Sequence, residues 1–139
     1  MFTRVRLKKS ALNYFRKKAR ESSGVEIQAF LLGNIISMHE VEISEFLYPK
    51  EYHTQTPSAV SWTADEYAQI WKKADEKGLS VLGDFHTHPS WDAVMSGVDY
   101  RGVVTSNFVI CGICSVYDRK TRVRIWTPTS SLPLTIVYT

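Results

Sequence analysis

The spacing of apolar residues changes several times along the chain, and each change marks an element. Residues 2–7 (Phe-Thr-Arg-Val-Arg-Leu) predict a short strand. Over 8–21 the apolar residues Ala11, Leu12, Tyr14, Phe15 and Ala19 recur at helical spacing, which predicts an amphipathic helix closed by Ser22-Ser23-Gly24. Residues 25–36 read as a strand region, and 39–48 alternate polar and apolar as a half-buried strand antiparallel to it. Residues 49–59 are polar, hold Pro49 and Pro57 and read as a loop, with a short strand at 60–62. Thr63-Ala-Asp-Glu66 is a capping box: the hydroxyl and the glutamate satisfy the free amides of a helix's first turn. Ala64, Tyr67, Ala68, Trp71 and Ala74 mark the buried stripe of that helix, and Gly78 ends it. Then come a strand at 79–85, a turn at Pro89, a helix over about 96–104 and a strongly apolar strand at 107–117. A turn at 118–120 leads to a hairpin partner at 123–126, and 132–138 forms a last strand.

Composition narrows the class. A chain of 139 residues fits one domain, 1–139, with a core large enough to need no disulfide framework. Hydrophobic residues make up 44% and charged residues 22%, as in ordinary soluble domains. No run of 18 apolar residues exists to span a membrane, and the basic N-terminus lacks the apolar segment of a signal peptide, so a cytoplasmic address is expected. The net charge of +3 is uneven: Arg4, Arg6, Lys8, Lys9, Arg16, Lys17, Lys18 and Arg20 all fall within the first twenty residues, with no acid among them. Such an arm can meet nucleic acid or an acidic partner, but a solvated helix face explains it more simply. Cys111 and Cys114 form a lone C-x-x-C inside an apolar strand; with no second pair to complete a zinc cluster, they read as two small buried hydrophobes.

The chemistry concentrates in Gly83-Asp-Phe-His86-Thr-His88-Pro89 and in Ser96-Gly-Val-Asp99. His86 and His88 are two apart at the end of a strand, so their side chains leave the same face. Ser96 and Asp99 are three apart at a helix start and share a face as well. Two imidazoles and a carboxylate make a three-ligand metal site. Catalytic zinc takes three such ligands and keeps a position open for water. The same set also suits non-haem iron, so spacing alone leaves the metal open.

These residues resemble the JAMM or MPN-plus metalloproteases, also called JAB domains. That family carries His-[Ser/Thr]-His-Pro, six residues, then Ser-x-x-Asp. Here His86-Thr87-His88-Pro89 is followed by the six residues 90–95 and by Ser96-Gly97-Val98-Asp99, so every fixed position matches. An upstream glutamate of the family sits in the frame Glu-x-x-[Gly/Ala]-hydrophobic-Leu-x-Gly, which Glu26-Ile-Gln-Ala29-Phe30-Leu31-Leu32-Gly33 fits. Glu21, Glu42 and Glu45 have no such frame. The order of elements agrees with the domain over nearly the whole chain. The resemblance implies an α/β fold: a single JAB/MPN domain with a central mixed, largely antiparallel curved β-sheet flanked by helices.

It also implies a metallopeptidase, a zinc hydrolase of deubiquitinase type. One Zn2+ per chain would be held by His86, His88 and Asp99, with Glu26 as general base and Ser96 as a hydrogen-bond donor to the oxyanion. The expected reaction is hydrolysis of a peptide or isopeptide bond after the C-terminus of ubiquitin or a ubiquitin-like protein, with that protein or its conjugate as partner. Other members process sulfur-carrier or phage-tail proteins, and ligand-poor members are scaffold modules without catalysis. This chain keeps every ligand position of the motif. Asp84 and Asp92 read as supporting or solvated residues, His39 and His53 as solvated ones, and Trp91 as a residue that could line the groove. Neither membrane nor nucleic acid is expected as a partner. The sequence leaves oligomeric state open, a homo- or hetero-oligomer included.

Overall fold

The computed structural model describes residues 2–22, 24–89, 93, 107–116, 122–130 and 132–139. The elements in chain order are β1 (Arg4–Leu7), α1 (Lys9–Glu21), β2 (Gln28–Ile35), β3 (Glu40–Leu47), β4 (Tyr52–Gln55), β5 (Val60–Trp62), α2 (Ala64–Ala68), α3 (Ile70–Glu76), β6 (Ser80–His88), β7 (Ile110–Ser115), β8 (Arg122–Trp126) and β9 (Thr135–Tyr138). Seven strands form one mixed sheet in the order β8-β7-β6-β2-β3-β1-β9, while β4 and β5 pair as a separate hairpin. The contacts β2–β3, β2–β6 and β7–β8 are antiparallel; β1–β3, β1–β9 and β6–β7 are parallel. The result is the expected α/β domain, with helices on both faces of a curved mixed sheet.

The alternation of strand side chains sorts the core into two layers. On one face Phe85, Ala29, Leu31 and Cys114 meet Leu12, Phe15 and Ala19 of α1, all of them buried. Phe15 sets its ring edge against Phe85 at 4.6 Å and Phe46 at 5.6 Å. On the other face Phe30, Leu32, Trp62 and Phe108 enclose Ile70 and Ala74 of α3. Gly83 and Gly112 permit the close approach of the central strands. A Cβ on Gly83 would fall on the carbonyl of Ile110, and one on Gly112 would meet the ring of Phe85.

Several expectations need correction. The stretch 49–59 is not all loop: Tyr52–Gln55 pairs with Val60–Trp62, because a polar hairpin lying over the sheet needs little apolar signal of its own. The helix after Thr63 is not continuous. Thr63 caps it by accepting from the Glu66 amide at 3.3 Å, but the Glu66 carboxylate reaches the amide of Lys50 at 2.7 Å instead of closing the box. Gln69 then ends α2 and opens α3, its amide bonded back to Glu66 and Tyr67 in a tight turn. That turn moves the buried stripe to Ile70 and Ala74 and leaves Ala64, Tyr67, Ala68 and Trp71 exposed. In α1, Tyr14 is likewise exposed, its ring against Tyr48 at 5.7 Å. Gly78 does end α3, with φ at 68°. The helix expected over 96–104 and the turn at 118–120 lie outside the described residues.

Candidate functional site

The last turn of β6 and the entry to β2 build the site. β6 runs on to His88, three residues beyond its expected end, and carries both histidines within the strand. Gln28 stands opposite His86 in the antiparallel β2–β6 pair. The pairing continues past the start of β2, where Ile27 accepts from the Thr87 amide at 3.0 Å and donates to Thr87 Oγ1 at 2.8 Å. Directly opposed residues in an antiparallel pair project from the same face with adjacent Cβ atoms. Gln28, Asp84, His86 and His88 therefore share the face that α1 does not cover, and Glu26 lies two residues before Gln28. The Glu26 amide is fixed separately, by a 2.8 Å bond to the carbonyl of Thr56 in the β4–β5 turn.

All of these polar groups except Gln28 are buried: Glu26 is 3% exposed, His86 6%, His88 0% and Asp84 9%. Removing such groups from water is costly unless they are hydrogen-bonded or coordinated. Asp84 Oδ2 receives two bonds, from Gln28 Nε2 at 3.0 Å and from His86 Nδ1 at 3.2 Å. A carboxylate can only accept, so the bond places a proton on His86 Nδ1. The imidazoles of His86 and His88 lie 5.2 Å apart, centroid to centroid, inclined at 62°. These features fit two nitrogen ligands of a metal ion, one of them backed by the Asp84 carboxylate. The carboxylate ligand and the oxyanion donor expected from the sequence, Asp99 and Ser96, lie outside the described residues, and among the described residues no group of three or more His, Cys, Asp or Glu converges. Ala93, three positions before Ser96, is fully buried against Cys111, Ile113 and Trp126, and its carbonyl accepts from Arg124 Nη1 at 3.2 Å. Ile113 neighbours His86 in the β6–β7 register, so Ala93 packs on the face that bears the histidines.

The remaining candidates fall outside this cluster. Cys111 pairs with Asp84 and Cys114 with Thr87, so the two thiols sit on opposite faces of the sheet and cannot act as one chelating pair. Both are buried and no disulfide joins them. Burial pushes the Cys114 thiol up to about 11, against a smaller opposing pull from Arg16 and Arg20. His39 and His53 are exposed; Trp91 and Asp92 lie outside the described residues. The basic arm is partly accounted for, since Arg4 and Arg6 bind the carboxylate of Glu40 at 3.1 and 2.8 Å.

Sequence reasoning underrated two residues. Of the two readings of Asp84, supporting or solvated, the structure shows the first: it is a buried acceptor on His86, on the face where the period-2 alternation Asp84, His86, His88 places it. Gln28 carried no signal of its own. Its side chain holds Asp84, and its backbone is gripped by the hairpin: Tyr52 Oη accepts from the Gln28 amide and donates to its carbonyl, both at 3.0 Å, and Trp62 Nε1 donates to that carbonyl at 3.3 Å.

The fold and the disposition of these residues define a JAB/MPN-type domain. The sequence profile of prokaryotic homologs of the JAB domain matches residues 8–128, and the chain belongs to that family, Prok-JAB. A protein of Desulfitobacterium hafniense solved in solution superposes with a TM-score of 0.75 at 19% identity, covering 97% of this chain and 92% of its own. A Salinibacter ruber protein, also solved in solution, gives 0.62 at 19% identity, covering 96% and 90%. A crystallised JAB1/MPN domain protein from Archaeoglobus fulgidus gives 0.58 at 17% identity, covering 98% of each chain. At these identities the likeness is one of fold. No curated protein matches the sequence significantly. No helix among the described residues is long and apolar enough to cross a membrane.

Proposed function

We propose that the chain is a zinc-dependent peptidase or isopeptidase acting after the C-terminus of a ubiquitin-like protein, in the cytoplasm. What supports the reading is the burial of Glu26, His86 and His88, with the two imidazoles 5.2 Å apart on one face of β6. Burying a glutamate and two histidines is costly unless they are hydrogen-bonded or coordinated, and a hydrolytic centre would use that set. His86, His88 and Asp99 would hold the ion, which when bound supplies Lewis acidity and a water of lowered pKa. Glu26 accepts the proton of the attacking water and returns it to the leaving amine. Its burial keeps the carboxylate out of bulk solvent, so the proton passes between water and amine without escaping. Ser96 donates a hydrogen bond to the oxyanion formed on attack.

A panel of ubiquitin-like proteins fused through their C-termini to a reporter amine tests this, run with and without a zinc chelator. Chelator-sensitive cleavage of one member, lost in Glu26→Gln, is the expected result. A zinc-loaded protein that cleaves no fusion in the panel counts against the peptidase reading and for a scaffold module.

A further inference from the structure

Asp84 stands where a strand buried on both faces would ordinarily carry an apolar residue. It is 9% exposed, flanked by Gly83 and Phe85, and opposite Phe30. A carboxylate in such a place is retained at a cost unless its lone pairs are used. Both known partners of Oδ2 belong to the site: His86 Nδ1 at 3.2 Å and Gln28 Nε2 at 3.0 Å. The amide of Gln28 fixes where the carboxylate lies, and the carboxylate fixes the rotation and tautomer of the ring. Gln28 is fixed in turn, because its backbone N–H and C=O are both bonded by Tyr52 and its C=O also by Trp62. A chain of contacts thus runs from the β4–β5 hairpin through Gln28 and Asp84 to His86.

We infer that Asp84 is a positioning residue that holds His86 as the Nδ1–H tautomer, turning Nε2 toward the ligand side and making it a stronger donor to a divalent cation, with Gln28 as its brace. The inference rests on the metal-centre reading above and adds to it the residue pair that tunes one ligand. A carboxylate behind a coordinating histidine raises the basicity of the ring and removes its freedom to flip, and loss of such a partner weakens metal binding about 10- to 100-fold.

Two measurements on the full chain decide it, both made with Zn2+ as the probe or with no metal. The first is zinc affinity by competition with a chromophoric chelator, for wild type, Asp84→Ala and Asp84→Asn. The second is the tautomer of His86 in metal-free protein, read from the two ring-nitrogen shifts of 15N-histidine-labelled samples. Asp84→Ala should bind zinc about 10- to 100-fold more weakly and lose the Nδ1–H signature. Asp84→Asn keeps an acceptor of the same shape, so it should retain the tautomer and recover most of the affinity. Unchanged affinity and tautomer in Asp84→Ala would overturn the assignment while leaving the metal centre standing. If Asp84→Ala does not fold, the wild-type spectrum decides: a metal-free His86 that does not show the Nδ1–H signature overturns the assignment. Wild-type protein that takes up no zinc overturns the metal-centre reading itself, and the inference with it.

Discussion

The two faces of the central sheet are built to different rules. The face under α1 is filled by Leu12, Phe15, Leu31, Phe46 and Phe85, with aromatic rings meeting at 4.6–5.6 Å. The opposite face is apolar only over part of its area, beneath α3; toward the end of β6 it turns to Gln28, Asp84, His86 and His88. Both regions are buried, so water exclusion does not separate them. What separates them is what satisfies each residue: dispersion and apolar burial on one side, directed hydrogen bonds on the other. The rigid face therefore works as the bed on which an expensive polar cluster can be held in place.

Substitutions on the two faces should fail in different ways. The largest effect is expected from Glu26→Gln, which should reduce turnover by about 10²–10⁴-fold while zinc content and thermal melting stay near wild type; single-turnover cleavage with parallel metal analysis measures it. Phe85→Ala, one residue from His86 but pointing the other way, should cost about 3–5 kcal/mol of stability in urea unfolding, and lose activity only in step with the folded fraction. If Phe85→Ala kept its stability but lost turnover, the division between faces would be wrong. Tyr52→Phe removes both bonds to the Gln28 peptide and should cost about 1–2 kcal/mol, with a matching loss of protection in hydrogen exchange at Gln28. Thr63→Ala, remote from both faces, should cost about 1 kcal/mol with cleavage unchanged.

The smallest effect concerns pH. Its bond to Arg6, joined by the charges of Arg6 and Arg4 and a bond to Arg4, outweighs burial and holds Glu40 below the ordinary glutamate range. The unfolded chain therefore binds this proton more readily than the folded one. The stabilisation is complete at neutral pH and disappears as the pH falls below the ordinary glutamate value and through the lowered one. Glu40→Gln should flatten that part of the acid unfolding curve and leave cleavage at neutral pH unchanged, and added salt should shrink the difference.

Most strands were legible because each carries its own apolar rhythm, and His86 and His88 were legible through spacing that puts both on one face. Glu26 was picked out by its frame, and the structure buries it two residues before the start of β2. The misses share a physical cause: a contact made elsewhere in the fold. Tyr52–Gln55 is a strand because it meets β5, and little in Tyr-His-Thr-Gln announces this. Gln69 interrupts a helix with neither Pro nor Gly, in a tight turn that lets Ile70 reach Phe30 and Trp62. The partnership of Gln28 with Asp84 spans 56 positions and exists only once β2 and β6 have paired.

The grip of Tyr52 and Trp62 on Gln28 has one more effect. The N–H and C=O of Gln28, at the start of β2 and ahead of its pairing with β3 at Phe30, are occupied by a phenol and an indole rather than by a neighbouring backbone. An exposed peptide there would be a template for any extended segment, including one from a second copy of the chain, and would invite edge-to-edge association beside the polar cluster. Aromatic side chains fill that role without adding a strand, so the sheet is blunted at the point where a stray pairing would do the most harm.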